Sequence, residues 1–224
     1  ADVRGLTGTV EFTGDSVWWK GVRVAFPGTR ASGDGRYYIN AGSIHLRLHG
    51  DPVDPADIRW AWVKLPEQGS GKIDFGLDWT ENKSVYTAQN MDVRLEKSHV
   101  TGNIEATVTD TVAFRDANLR FTNLDTQLLT RMFGMKFPRP LTLTGRAAFN
   151  GGQHALRING DVVVDDPRSG RSRLVGNGVM GLANGVFTAR DLHVRMLPLQ
   201  MGLAKAIDRF PRDPSDREKD QHCI

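Results

Sequence analysis

The sequence lacks most of the features that would fix a fold covalently or place the chain in a membrane. It has a single cysteine, Cys223, so no disulfide can form within the chain. It contains no run of eighteen apolar residues and no signal-peptide pattern. Its 29 Lys and Arg residues nearly balance its 26 Asp and Glu residues, and no basic patch carries interleaved aromatic residues. A disulfide-stapled domain, a membrane-spanning helix and a nucleic-acid partner are therefore not expected.

Motifs of catalytic, nucleotide and metal chemistry are also missing. GNGVMG (176–181) has the glycine spacing of a dinucleotide-binding loop, but a turn and a strand pattern follow it where a helix would be needed. GSGK (69–72) is followed by Ile73 instead of the Ser or Thr of a phosphate-binding loop. The six histidines form no cluster with metal-ligand spacing, and no G-x-S-x-G motif is present. Asp165 and Asp166 precede a proline and are interpreted as a solvated turn. We predict no enzyme, cofactor or metal site.

What the sequence has in quantity is the alternation of apolar and polar residues. In LTGTVEFTG (6–14), Leu6, Val10 and Phe12 alternate with polar residues, which is typical of a strand with one apolar face. About fourteen segments of this kind follow one another, joined by short turns rich in Gly, Asn and Asp. The pattern predicts an all-β fold built as an antiparallel meander. The apolar faces could be buried in a closed sandwich or barrel, or could line a long sheet that curls into an open trough.

The first departure from alternation lies in VDPADIRWAWVKLP (53–66). Asp54 is a predicted N-cap and Pro55 the first helical residue. Ile58 and Trp62 are then predicted to share one face of a helix. Trp60 and Trp62 are interpreted as packing this helix on the sheet.

Two further short helices are predicted toward the C-terminus. LDTQLLTRMFGM (124–135) has Leu128, Leu129 and Met132 on one side and Gly134 as its stop. Residues 199–210 form an amphipathic pattern that is expected to cap the end of the sheet. Residues 211–224 are charged and poor in apolar residues, so they are predicted to be a disordered polar tail. Residues 1–198 form the β segment.

The β segment contains a loose internal repeat. Strand openings near Gly8, Gly71 and Gly145 follow one another after 63 and 74 residues. Within the units, VRVAFPGTRASGDG (22–35) corresponds to MDVRLEKSHVTGNI (91–104), each with an alternating strand, a turn and then a small or β-branched residue before Gly. Repeats of this length indicate an array of stacked units.

Over residues 3–198 the chain resembles the AsmA-like and TamB-like proteins of bacterial envelopes. The resemblance rests on the stretches LTGTVEF and DVRL and on the predicted helices that run into LPEQGSG or FPRPLTLTG. The resemblance implies a long curled sheet that is U-shaped in section, with an apolar groove along its length. It implies a periplasmic protein anchored to the inner membrane by a segment absent from this chain. The implied roles are the conduction of phospholipid between the inner and outer membranes and assistance in outer-membrane assembly. Phospholipid acyl chains, neighbouring repeats of the parent protein and outer-membrane assembly proteins are the implied partners.

One apolar residue set is predicted to line the groove and to face the same interior. Its members are Val10, Phe12, Val24, Leu46, Phe75, Leu77, Val93, Leu95, Ile104, Phe121, Leu143, Ile158, Val162 and Val194. The opposite face is predicted to be charged, with both signs mixed. The alternative reading is a structural or assembly-scaffold β-rod that conducts nothing because its own side chains fill the apolar space. A carbohydrate-active β-helix enzyme would show clustered Asp or Glu on one face.

Overall fold

The structure, a computed structural model, describes residues 2–135, 137, 139–152, 154–183 and 186–198. It contains one open antiparallel sheet of twelve strands in sequential order, together with two short helices. The elements are β1 (Gly5–Thr13), β2 (Ser16–Ala25), β3 (Arg30–Tyr38), β4 (Ser43–Val53), α1 (Pro55–Ile58), β5 (Gly69–Thr80), β6 (Lys83–Leu95), β7 (Ser98–Val108), β8 (Val112–Asp125), α2 (Thr126–Phe133), β9 (Thr142–Gly152), β10 (Leu156–Asp166), β11 (Gly170–Ala183) and β12 (Val186–Pro198). The prediction of a curled all-β meander is confirmed.

The described residues form twelve strands. The alternating segments at 112–114 and 119–121, which the sequence pattern predicts as separate strands, are two parts of β8. A bulge between Phe114 and Ala117 shifts the pairing of β8 with β9 and breaks the period-two pattern without ending the strand. At about 4.8 Å between neighbouring strands, the twelve strands extend over roughly 53 Å.

Both helices begin after a capping aspartate, and Asp54 confirms the predicted cap of α1. Asp54 lies in extended conformation before α1, and its side chain accepts a hydrogen bond from the Ala56 N–H. Asp125 caps α2 in the same way, and Gly134 ends α2 in the left-handed conformation, as the sequence indicates.

The prediction that Ile58 and Trp62 share a helical face is wrong, because α1 is one turn long and ends at Ile58. Trp62 lies in the following turns and contacts Phe133 edge to face, with ring centroids 5.3 Å apart. Trp60 does not pack on the sheet, since 70% of its surface is exposed.

The buried core is small and lies where the helices meet the C-terminal ends of β6 and β8. Leu65, Leu128 and Met132 form this cluster. Ile58, Leu95 and Leu124 pack against it while remaining partly buried. The cluster helps to fix α2 and the segment after α1 on the sheet, together with the ion pair of Arg131 with Glu96 and the hydrogen bonds between Thr126 and Leu141.

Truncating the centre of this cluster is expected to destabilise the chain. Leu128→Ala removes a side chain that is 1% exposed, and should lower the free energy of unfolding by about 2–3 kcal/mol. Urea denaturation followed by circular dichroism measures this effect. Leu129→Ala, one residue along α2 and less buried, is the matched control. Equal effects of the two variants would contradict the assignment of Leu128 to the core.

The repeat is visible as three units of four strands: β1–β4 followed by α1, β5–β8 followed by α2, and β9–β12. The predicted helix 199–210 and the tail 211–224 lie outside the described residues. In each unit a glycine of the first strand lies against a valine of the second. The pairs are Gly8 with Val22, Gly71 with Val93, and Gly145 with Val162. A Cβ atom on these glycines would lie 2.8–2.9 Å from the valine Cα, so no side chain fits there.

A second set of glycines recurs between the third and fourth strands of each unit. The pairs are Gly33 with Leu48, Gly102 with Leu119, and Gly176 with Val194. A Cβ atom on these glycines would overlap a backbone carbonyl oxygen of the fourth strand. Two glycine contacts at equivalent places in all three units show that the loose sequence repeat is a structural repeat.

Bulges occur in the strand pairs of four of these six close approaches and bend the sheet. Eight of the eleven strand pairs contain a shift of register. Asn90, Asp116 and Asn123 lie at such shifts and adopt positive φ angles of 49–52°. Bulges and glycine kinks are the devices that curve a β-sheet, so the curl of this sheet has an identifiable local cause.

Candidate functional site

The register of the strands brings all fourteen predicted groove residues to one face of the sheet, here called the apolar face. Directly paired residues in an antiparallel sheet share a face. One row, for example, runs from Val93 through Val100 and Phe121 to Gly145 and Val162. Other rows place the remaining members on the same side. These members are Val10, Phe12, Val24, Leu46, Phe75, Leu77, Leu95, Ile104, Leu143, Ile158 and Val194.

Among the described residues, no second layer of structure covers the apolar face. Apart from two prolines, only five apolar side chains of the described residues are buried, and most of the apolar face, including Leu46, Phe75 and Ile104, is intermediate in exposure. A closed twelve-stranded sandwich would bury its whole inner face. Within the described ranges, α1 and α2 pack beside the apolar face at one end only, next to Leu95 and Leu124. An apolar surface therefore continues across the sheet.

Exposure of the apolar face is greatest at the first and last strands. Phe12 and Val10 in β1 are 77% and 50% exposed, and Val194 and Met196 in β12 are 51% and 63% exposed. Each of these strands has a neighbour on one side only. The apolar face thus reaches both edges of the sheet without a polar rim.

The opposite face, here called the charged face, carries ion pairs between neighbouring strands. Lys20 bonds to Glu11, and Arg173 bonds to Asp161 through both carboxylate oxygens at 2.7 Å. Three histidines also pair with aspartates across strands. These are His45 with Asp78 at 2.9 Å, His49 with Asp74 at 2.6 Å, and His99 with Asp92 at 2.7 Å. The histidines act as structural surface partners, and each cross-strand pair adds at most modestly to stability because it is solvated.

Hydrogen bonds on the charged face lower the pKa values of several aspartates. The bond from Arg173 lowers the pKa of Asp161, and the bond from Arg47 lowers the pKa of Asp78. The amide of Asn90, followed by His49, lowers the pKa of Asp74. These bonds favour the ionised carboxylates and therefore link the stability of the sheet to pH.

The sheet is expected to lose stability in acid. A carboxyl group with a lowered folded-state pKa stabilises the fold above its unfolded pKa of about 4, and this contribution is lost as pH falls through the folded-state pKa. Urea midpoints measured from pH 6 to pH 2.5 should therefore fall below about pH 4. Asp161→Asn should reduce the fall, whereas Asp116→Asn on the same chain serves as the control. A midpoint that stays constant to pH 2.5 would contradict the linkage.

The motifs considered for chemistry lie in structural positions. Residues 176–181 lie inside β11, paired on both sides, and do not open a helix. The expectation that Asp166 is solvated is wrong. Its side chain is buried in the turn after β10, where it accepts hydrogen bonds from the Ser169 hydroxyl, the Arg168 N–H and Arg139. In the described part of the chain no three metal-ligating side chains converge, and no helix is long and apolar enough to cross a bilayer.

Surface depressions occur on the charged face and hold no catalytic arrangement of side chains. One of about 600 Å³ is lined by Arg47, His49 and Asp74, whose charges are engaged in cross-strand pairs. Another of about 430 Å³ is lined largely by amides, including Asn118 and Asn159. Neither brings together a nucleophile and a base, so the apolar face remains the larger candidate surface.

Sequence reasoning did not find the exposed apolar residues in and around the two helices. Trp60, Val63, Phe133 and Met135 are each at least half exposed. Their spacing follows no regular period because they lie in turns and at a helix end.

Comparisons with protein families, with curated proteins and with solved structures found no match for this chain.

Proposed function

We propose that the chain is a segment of a β-groove protein that shields lipid acyl chains on its apolar face and conducts phospholipid between two membranes. The observation that carries the proposal is the uncovered apolar surface that crosses all twelve strands. Soluble monomeric proteins rarely leave so continuous an apolar surface exposed unless it binds something. Acyl chains suit it because they are apolar along their length and need no specific polar partner.

The energetics favour a continuous surface over a single pocket. Moving an acyl chain into water costs about 0.8 kcal/mol per CH₂ group, or on the order of 25 kcal/mol for a two-chain lipid. A path that keeps both chains in apolar contact removes most of this barrier. No single position along the path should bind the lipid tightly, since a site of high affinity would trap the lipid there. The apolar face meets that requirement because Val, Leu, Ile and Phe are spread over eleven of the twelve strands, and β3 contributes Ala, Gly and Tyr.

The resemblance to AsmA-like and TamB-like proteins supports a location in the bacterial envelope. We place the segment in the periplasm, in a protein that is anchored to the inner membrane. Assistance in outer-membrane assembly, with assembly proteins as partners, belongs to the same proposal. The charged face then faces the aqueous periplasm, where its mixed ion pairs keep it soluble.

Site-specific photocrosslinking tests the proposal. A benzophenone amino acid is placed at Ile104 on the apolar face or at Glu105, the next residue, on the charged face. The full chain is then mixed with vesicles of phosphatidylethanolamine and phosphatidylglycerol. Lipid adducts detected by mass spectrometry should be roughly tenfold or more abundant at position 104, because only that side chain would contact acyl chains. Lipid extraction of the chain purified from bacteria gives an independent measurement.

Two outcomes would count against lipid conduction. Equal labelling at positions 104 and 105 would show that lipid does not select the apolar face. A chain that purifies without lipid and gives no adduct at either position would support the alternative, a scaffold rod that conducts nothing.

A further inference from the structure

We propose that the edge of β12 that is unpaired in the described sheet pairs with the unpaired edge of β1 of a second copy of this chain, so that copies extend one sheet head to tail. In this junction Val194 lies opposite Phe12, and Arg195 lies opposite Glu11. The proposal concerns the edges of the sheet and is independent of whether its apolar face binds lipid.

Both edges present unpaired backbone groups and exposed side chains. In the described sheet β1 pairs only with β2, and β12 pairs only with β11. Every residue of β1 is exposed, including Phe12 at 77%. Open strand edges of this kind template pairing with another strand.

The chain already joins a fourth strand to a first strand twice within itself, in two registers that differ by two residues. The fourth strand of the first unit, β4, pairs with the first strand of the second, β5. The fourth strand of the second unit, β8, pairs with β9. The strands β12 and β1 are the remaining fourth strand and the remaining first strand. By its place in the repeat, β12 is therefore expected to pair with a first strand, and β1 with a fourth strand.

The repeated glycines identify equivalent positions in the three units, so the register of the β4–β5 junction can be applied to the proposed β12–β1 junction. Leu48 lies against Gly33 of its unit as Val194 lies against Gly176. Phe75 follows Gly71 by four residues, as Phe12 follows Gly8. Because Leu48 pairs with Phe75, the equivalent pairing across the new junction joins Val194 to Phe12. Both are apolar and exposed at their edges.

The charges on the opposite face fit the same register. One step along the β4–β5 junction, His49 pairs with Asp74 at 2.6 Å. The transferred positions are Arg195 and Glu11, which again combine a cation with a carboxylate. In the register of the β8–β9 junction, Arg120 lies opposite Arg146. Applied to the proposed junction, that register would place Arg195 opposite Thr9. The β4–β5 register is therefore favoured because it alone forms an ion pair.

The geometry predicts open-ended assembly. The junction joins two different edges, so each added copy leaves one β1 edge and one β12 edge free, and the contact is heterologous. Sedimentation velocity of the full chain should show species that grow with concentration from monomer upward. A sharp dimer that stops growing would overturn head-to-tail pairing.

Charge exchange tests the register in solution. Glu11→Arg places Arg against Arg195, and Arg195→Glu places Glu against Glu11, so each variant alone should associate roughly threefold to tenfold more weakly. An equimolar mixture of the two variants restores opposite charges at every mixed junction and should associate like the original chain. Recovery in the mixture also shows that both variants fold. Arg157→Glu, an exposed charge in β10, is the matched control and should change nothing.

Cysteine pairing gives a second test. In a Cys223→Ser background, Phe12→Cys and Val194→Cys should form an intermolecular disulfide on mild oxidation, whereas Val10→Cys and Val194→Cys should not. Preferred linkage through position 10 would overturn the proposed register. A chain that stays monomeric at high concentration, or association that the charge variants leave unchanged but Ile104→Arg abolishes, would overturn edge pairing altogether.

Discussion

Ile104→Arg is expected to abolish lipid binding while leaving the sheet folded. Ile104 lies on the apolar face in β7, near the middle of the sheet and opposite Ala88 of β6. An arginine there would place a charge against acyl chains at a cost of several kcal/mol. Since 1.4 kcal/mol corresponds to tenfold in binding, bound lipid should fall by roughly tenfold or more. The fold should persist because no second layer of the described residues packs over this position and the guanidinium can reach water when lipid is absent.

A position on the opposite face supplies the control. Thr107→Arg adds the same charge on the charged face of the same strand, and should leave lipid adducts and extracted lipid unchanged. Circular dichroism and urea midpoints of the two variants should be similar. Val93→Glu, also on the apolar face, should behave like Ile104→Arg. If lipid remains bound in both apolar-face variants, the apolar face is not the surface that carries lipid.

Gly102→Ala is expected to produce the largest loss of stability of the substitutions considered. A Cβ atom at Gly102 would overlap the carbonyl oxygen of Asn118 in the next strand, and the backbone φ of +130° is one that other residues rarely adopt. The strand must either move away, which breaks the β7–β8 pairing, or absorb the strain. We expect a loss of about 3 kcal/mol or more in the free energy of unfolding.

Urea denaturation compares this variant with Gly14→Ala. Gly14 lies in the β1–β2 turn, where an added Cβ meets no atom within 4 Å, so its effect should stay within about 0.5 kcal/mol. Gly33→Ala tests the equivalent position of the first unit and should resemble Gly102→Ala. Similar midpoints for Gly14→Ala and Gly102→Ala would show that the repeated glycines do not shape the sheet.

The sequence alone determined which side chains share a face. Period-two alternation survives in the strands because each residue turns the side chain to the opposite side. Val93 and Ile104 therefore reach the same face, although a bulge in β6 lies between Val93 and Ala88, the residue that pairs with Ile104. The helix caps Asp54 and Gly134 were also predictable, since capping depends on a few neighbouring residues.

Features that depend on contacts between distant residues required the tertiary structure. The burial of Asp166 could not be inferred from a turn sequence, because Arg139 reaches it from 27 residues away. The strand count changed at the bulge between Phe114 and Ala117, which is defined by pairing with β9. The position of Trp60 changed because α1 stops after one turn.

The choice between a closed sandwich and an open curled sheet was likewise made by tertiary structure. Both arrangements require the same alternation, so the apolar pattern of a strand such as β5 is compatible with either. The outcome depends on how far each strand twists against its neighbour, and glycines such as Gly33 and Gly145 set that locally through close backbone approach. Alternation thus determined the two faces of this protein, whereas backbone geometry between strands left the apolar one uncovered.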